Sequence, residues 1–260
     1  MALKECNALT TDAALHELLL CIGDSHLVLA QQLGALIGWA PTLEEEVACA
    51  NIGLDILGHA TMTLELAAER SSSFASADDL AFTRDAHQFR SVLLAEFPAE
   101  DFAQVIVRQL FFSAWSFELW SALSSSADAD LSAIACKARK EAVYHVEHAG
   151  EWFVRLGAGT AVSRQRTLDA LDAFWPCTAE LFAPTTSDAL LAEGGICPLL
   201  SELEAGWNAQ LAPYFAAAAI DLPTDPRHQT GGRTGRHTEH LGHLLTELQF
   251  LQRTYPGATW

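Results

Sequence analysis

Residues 102–123 read FAQVIVRQLFFSAWSFELWSAL, a helix-compatible run that is apolar on every side. A helix without a polar face has to be buried on most of its circumference. It therefore needs other long helices around it, and the chain supplies them. Leu15, Leu18, Leu19, Ile22, Leu29, Leu33 and Leu36 recur at helical spacing, and Gly38 ends the stripe. Pro41 and Thr42 open a second helix that runs to about Arg70, with Glu45 three after Thr42 as a capping box requires. Residues 79–96 read as a short connection with one set of helical turns. Pro98 leads into the third helix and SSSADAD breaks it. The fourth starts at Asp128 or Asp130 and reaches Leu156, with Gly157 as its C-cap.

Further helices are expected at 163–182, with Pro176 as a kink or stop, at 199–219 and at 238–253. The stretch PTDPRHQTGGRTGRH between the last two is a loop. Nothing reads as a strand. The expectation is an all-α fold of one domain over 1–260: a four-helix bundle at about 11–157 with additional C-terminal helices at about 163–254.

Half of the chain is apolar and 18% is charged, which argues against extensive disorder. The net charge of −18 disfavours nucleic acid and favours a basic protein partner. No uninterrupted apolar run reaches the ~18 residues of a membrane span. MALKECNALTTDAAL lacks the order of a secretory signal, so the expected location is the cytoplasm, with no membrane partner. The six cysteines form no C-x-x-C pair and read as reduced, small apolar residues.

Chemistry concentrates in two acid–histidine motifs. Asp55 and His59 sit four apart, as do Glu141 and His145. A carboxylate-bridged di-iron bundle takes a Glu from each of two helices and a Glu-x-x-His from each of two others. Here the position three after Asp55 is Gly58, and the one three after Glu141 is Tyr144. Asn51, Asp55 and His59 share one helix row, and Lys137, Glu141 and His145 share another, with Glu118 available from the third helix. One reading makes Asp55 and His59 metal ligands. The other makes these groups a buried ionic network of Asp55, Glu118, Lys137, Glu141 and His145, with Lys137 standing in for a cation. His148, Glu147 and Glu151 read as a solvated face.

A third cluster lies in RHQTGGRTGRHTEHLGHLL. Arg227, Arg233 and Arg236, with His237, His240 and His243 following, fit an anion site for phosphate or a docking loop for an acidic partner. The nucleophile elbow and the dinucleotide-binding glycine motif are missing. Trp115, Trp120, Trp152 and Trp175 read as core and interface.

Several blocks taken together carry a resemblance. GDSHLVLAQQLG, LEEEVACANIGLDILGHA, LAFTRDAHQFRSVLLAEFP, KEAVYHVEHAGEWFVRLG and GGRTGRHTEHLGHLLTELQFLQRTYPGATW occur in order along the chain. The sequence resembles the family of C subunits of bacterial 1,2-phenylacetyl-CoA epoxidases, the ring-hydroxylating phenylacetyl-CoA oxygenases. That resemblance implies a ferritin-like fold. It implies a complex that epoxidises the ring with O2 and electrons passed from NADPH by a reductase. In such complexes the A subunit holds the di-iron centre, and the C subunit is its structural partner without a functional metal site. A small B subunit joins the pairs. The resemblance therefore implies no catalytic residue and no cofactor in this chain, a contact with acyl-CoA, and a role in aerobic phenylacetate degradation. His59 departs from the glutamine common at its place in that family. Apolar helices such as 101–123 suit the obligate interface. The alternative is a self-sufficient metal-binding ferritin-like oxygenase or an iron-handling protein.

Overall fold

The computed structural model describes residues 10–224, 226 and 229–258. Cys6, Asp225, Arg227 and His228 lie outside the described residues. The described chain is helical, without a strand. Four long helices form its frame: α1 (Thr11–Gly34), α2 (Leu43–Glu69), α5 (Phe102–Leu123) and α6 (Ala129–Gly157). Between α2 and α5 lie two short helices, α3 (Ala77–Phe82) and α4 (Leu93–Glu96). After α6 come α7 (Ala161–Phe174), α8 (Thr186–Glu193), α9 (Glu204–Ala218), α10 (Glu239–Leu248) and α11 (Phe250–Thr254).

Each long helix begins where a short polar side chain can hold an orphan N–H. Thr10 accepts from the Ala13 N–H, Thr42 from Glu45, Asp101 from Gln104 and Asp128 from Leu131. The capping box expected at Thr42 is only half present. Glu45 turns away to His148, and Glu46 holds the Gly38 and Ala40 N–H groups instead. Asp128 is the cap of α6, and Gly157 is its last helical residue rather than its cap. The helix expected at 163–182 stops at Phe174, and Trp175–Leu181 continues as a 3-10 turn around Pro176, which has no N–H to give. The short helix α8 has no counterpart among the expected elements. The last helix breaks at Gln249, whose side-chain amide donates to the Ala81 and Arg84 carbonyls, both at 2.9 Å.

Helices α1 and α2 pack as an antiparallel pair, α5 and α6 as another, and α2 runs antiparallel to α6. This is a ferritin-like four-helix bundle. Its centre is filled by Trp115, Trp120, Phe111, Phe112 and Phe153, all essentially buried. Trp115 and Trp207 bury their rings and still donate, to the Leu181 and Phe111 carbonyls. The helix α5 is spent on this core and presents little outer face, so the interface suggested for 101–123 does not lie there. By length and composition α1 and α2 could each cross a membrane. Of their apolar stretches, 83% is buried in α1 but only 44% in α2.

A buried ion pair ties the α2–α5 connection to the bundle. The Arg84 guanidinium binds the Asp24 carboxylate, with 3.0 Å from Nη1 to Oδ2, and also donates to Leu80 and Gln88 carbonyls. The Arg90 N–H donates to the same carboxylate at 2.8 Å.

Candidate functional site

The two acid–histidine motifs meet across the seam between α2 and α6. His59 Nε2 lies 2.7 Å from Glu141 Oε2, and His145 Nε2 lies 3.1 Å from Asp55 Oδ2. Each helix thus gives its acid to the other helix's histidine. The histidines are buried, whereas Asp55 is 39% and Glu141 31% exposed. A third bridge, His148 to Glu45 at 2.9 Å, closes one end of the seam, and Arg70 binds Asp128 and Asp130 at the other. His148, read from the sequence as solvated, is therefore nearly enclosed. Glu147 and Glu151 do face solvent.

Helix geometry explains which members of each row reach the centre. Four residues turn a helix by about 400°, so an i, i+4, i+8 row drifts by about 40° per step. Asn51 is exposed, Asp55 sits at the rim and His59 is inside. Lys137, Glu141 and His145 repeat the sequence from outside to inside. Lys137 is exposed, with its Nζ 3.9 Å from Met62 Sδ. Glu118 faces the other way, toward α9, where Gln210 reaches its carboxylate at 3.4 Å. The expected buried network of Asp55, Glu118, Lys137, Glu141 and His145 is corrected accordingly. Asp55, Glu141 and His145 come together, His59 joins them, Lys137 stays at the rim and Glu118 belongs to another contact.

His26 of α1 completes the centre, and sequence reasoning passed over it. Its ring touches those of His59, Phe112 and Trp120. Its Nδ1 lies 2.8 Å from the Ile22 carbonyl and its Nε2 3.0 Å from Ser116 Oγ. The signal available in the sequence was GDSH inside an apolar helix, because a buried polar run needs partners. Burial, then the neighbouring His59, pushes the His26 imidazole down to about 3. Burial, then His145, pushes His59 down to about 3 as well. His145 is lowered by burial, while Glu141 is raised by burial and then by Asp55. Burial thus disfavours the imidazolium forms of both bridging histidines.

The donor set does not suit a di-iron centre. Toward the centre α1 offers His26 and α5 offers Phe112, Ser116 and Trp120, so neither supplies a bridging carboxylate. The indole N–H of Trp120 is a donor and has no lone pair for a cation. Among the described residues no group of three or more His, Cys, Asp and Glu side chains is arranged to hold a metal ion.

The C-terminal cluster is an anchor held from inside. Glu180, 2% exposed, accepts the N–H groups of Leu93, Gly231 and Arg233. The Arg233 guanidinium donates to the Ala183 carbonyl and to Asp188 at 3.0 Å, so its donors point inward rather than toward a phosphate or a partner. His237 is likewise internal, 2.6 Å from the buried carboxylate of Glu96. Glu96 also receives the N–H and hydroxyl of Thr238. Gly231 (φ 144°) and Gly235 (φ 81°) make the turn that permits this. Arg236 is exposed, and the His240 ring packs on Phe97. Arg227 cannot be placed, as it lies outside the described residues.

Comparison with known proteins agrees with this architecture. The family described as "Phenylacetic acid catabolic protein" matches residues 3–260. The chain is 45% identical over 239 residues to the C subunit of 1,2-phenylacetyl-CoA epoxidase from Escherichia coli (strain K12), covering 92% of this chain and 96% of that protein. A helical bundle with this sequence signature along its whole length identifies the chain as a member of the phenylacetic acid catabolic protein family.

Proposed function

We propose that this protein is the non-catalytic structural subunit of a phenylacetyl-CoA 1,2-epoxidase. It pairs with a di-iron catalytic subunit in the cytoplasm, in aerobic phenylacetate degradation, and a small bridging subunit joins the pairs. It holds no cofactor of its own, the iron residing in the catalytic partner. The observation that carries this reading is the chemistry of the bundle centre. The two acids there are engaged by two histidines of the opposite helix, and α1 and α5 bring an imidazole, a hydroxyl and aromatic rings where a di-iron bundle needs carboxylates. The likeness to the C subunit of an epoxidase supports the same reading.

The test is iron and zinc content, for the chain purified alone and after co-expression with the catalytic subunit. Metal-free protein alone, with iron in the co-purified partner, is the expected result. Near-stoichiometric iron in the isolated chain would overturn the reading in favour of a self-sufficient metal bundle.

A further inference from the structure

Helix α2 carries more apolar surface than its own fold uses. Leu43, Val47, Asn51, Leu54, Gly58 and Thr61 recur at helical spacing on its outer side, spanning about 27 Å. The stripe bears no charge. Leu43 is 75% exposed and Leu54 66% exposed, and Trp39, in the turn before the helix, is 83% exposed. An outward helix face in a soluble bundle is ordinarily charged. In a chain with 33 acidic and 15 basic residues, an uncharged stripe of this length stands apart.

Gly58 adds an independent sign. A Cβ placed there would meet nothing within 4 Å, and its backbone is ordinary helix. Neither packing nor conformation within this chain asks for glycine, yet glycine in a helix interior costs about 1 kcal/mol relative to alanine. A small residue on an outer face lets a second helix approach closely.

The surroundings define the visitor. Glu44 and Glu46 flank the stripe at its start and Glu65 follows Thr61 at its end, while 43–69 contains no lysine or arginine. Such a rim repels an anionic lipid surface and attracts basic side chains. On α6, the partner of α2 in the seam, Val143 and Tyr144 are exposed as well.

We propose that the outer stripe of α2, from Leu43 to Thr61 with Trp39, is the docking surface for an α-helix of the catalytic subunit. That helix packs across Gly58 with basic residues at its margins. The inference rests on the structural-subunit reading above.

Leu54 is exposed and a Cβ at Gly58 meets no neighbouring atom, so Leu54→Glu and Gly58→Phe each spoil the stripe from outside, and both variants should fold. Val162→Glu, on α7, is the control, because Val162 is equally exposed and away from the stripe. The assay is co-purification and mass of the complex with the co-expressed catalytic subunit, with thermal unfolding of each variant alone. The expected result is wild-type unfolding for all three, at least tenfold weaker pairing for Leu54→Glu and Gly58→Phe, and unchanged pairing for Val162→Glu. If wild type and control pair and the two stripe variants pair equally well, the face is wrong and the subunit reading stands. If wild type does not pair, the subunit reading itself falls and the face falls with it. Flotation of the isolated chain with phosphatidylglycerol vesicles, abolished by Leu54→Glu, would overturn the helix partner in favour of a membrane.

Discussion

His59 on α2 meets Glu141 on α6 at 2.7 Å, with the imidazole 1% exposed and the carboxylate at the rim. The buried partner depends on the reachable one. Glu141→Ala leaves the His59 N–H without an acceptor inside the bundle, at an expected loss of about 1–3 kcal/mol. Glu141→Gln retains an acceptor and should lose less. Urea unfolding of the two variants decides, and equal stability for Glu141→Ala and wild type would remove the bridge from any account of the seam.

Acid should destabilise this fold in a defined window. His26 and His59 ordinarily titrate at 6.5 but are held at about 3 in the folded protein. Above pH 6.5 both are neutral in either state, and their contribution is complete. Below it the unfolded chain takes up two protons that the folded chain refuses. Stability should fall between pH 6.5 and pH 3, with a slope approaching about 2.7 kcal/mol per pH unit. Denaturant titrations at several pH values test this, and His59→Gln should make the slope shallower.

Lys137 and Asp24 are expected to differ sharply on truncation. Lys137→Ala should change stability by no more than about 0.5 kcal/mol, because the ammonium is in solvent. Asp24→Ala strips the partner from Arg84 where both side chains are almost wholly buried, and should cost about 3–5 kcal/mol. Thermal unfolding of both variants side by side is sufficient.

Arg108 offers the opposite outcome. Its side chain is completely buried on α5, one N–H reaches the Phe97 carbonyl, and Nε and Nη2 find no acceptor among the described residues. Burial pushes its guanidinium down to about 10. A buried charge without a counter-ion is costly, and an apolar chain of similar length removes that cost. Arg108→Met is therefore expected to unfold at a higher urea concentration than wild type, and a lower midpoint would reveal a partner for this arginine.

The frame of four long helices was legible because apolar periodicity and short polar caps are local signals. The short helix α8 and the break at Gln249 were not, since both depend on packing against distant segments. At the centre, the spacing of Asp55, His59, Glu141 and His145 was visible, but their crosswise pairing needs the register of α2 on α6. Lys137 and Glu118 depart from the expected network for a geometric reason. A row of residues four apart winds around a helix, and one residue's direction does not follow from its neighbour's. Arg233 and His237 looked available because glycine-rich loops usually lie at the surface. Their enclosing partners, Asp188 and Glu96, come from 45 and 141 positions earlier.

The seam reads almost as a palindrome: acid then histidine along α2, and acid then histidine along α6 in the opposite sense. Suppose α2 slid by one turn, about 5.4 Å. In one direction His59 would face His145 and both carboxylates would lose their donors. In the other, Asp55 would face Glu141, like charge against like. Only one alignment of the two helices satisfies all four groups. The motif thus acts as a key that fixes the alignment of α2, and with it the position along the bundle at which Leu54 and Gly58 are offered to the outside.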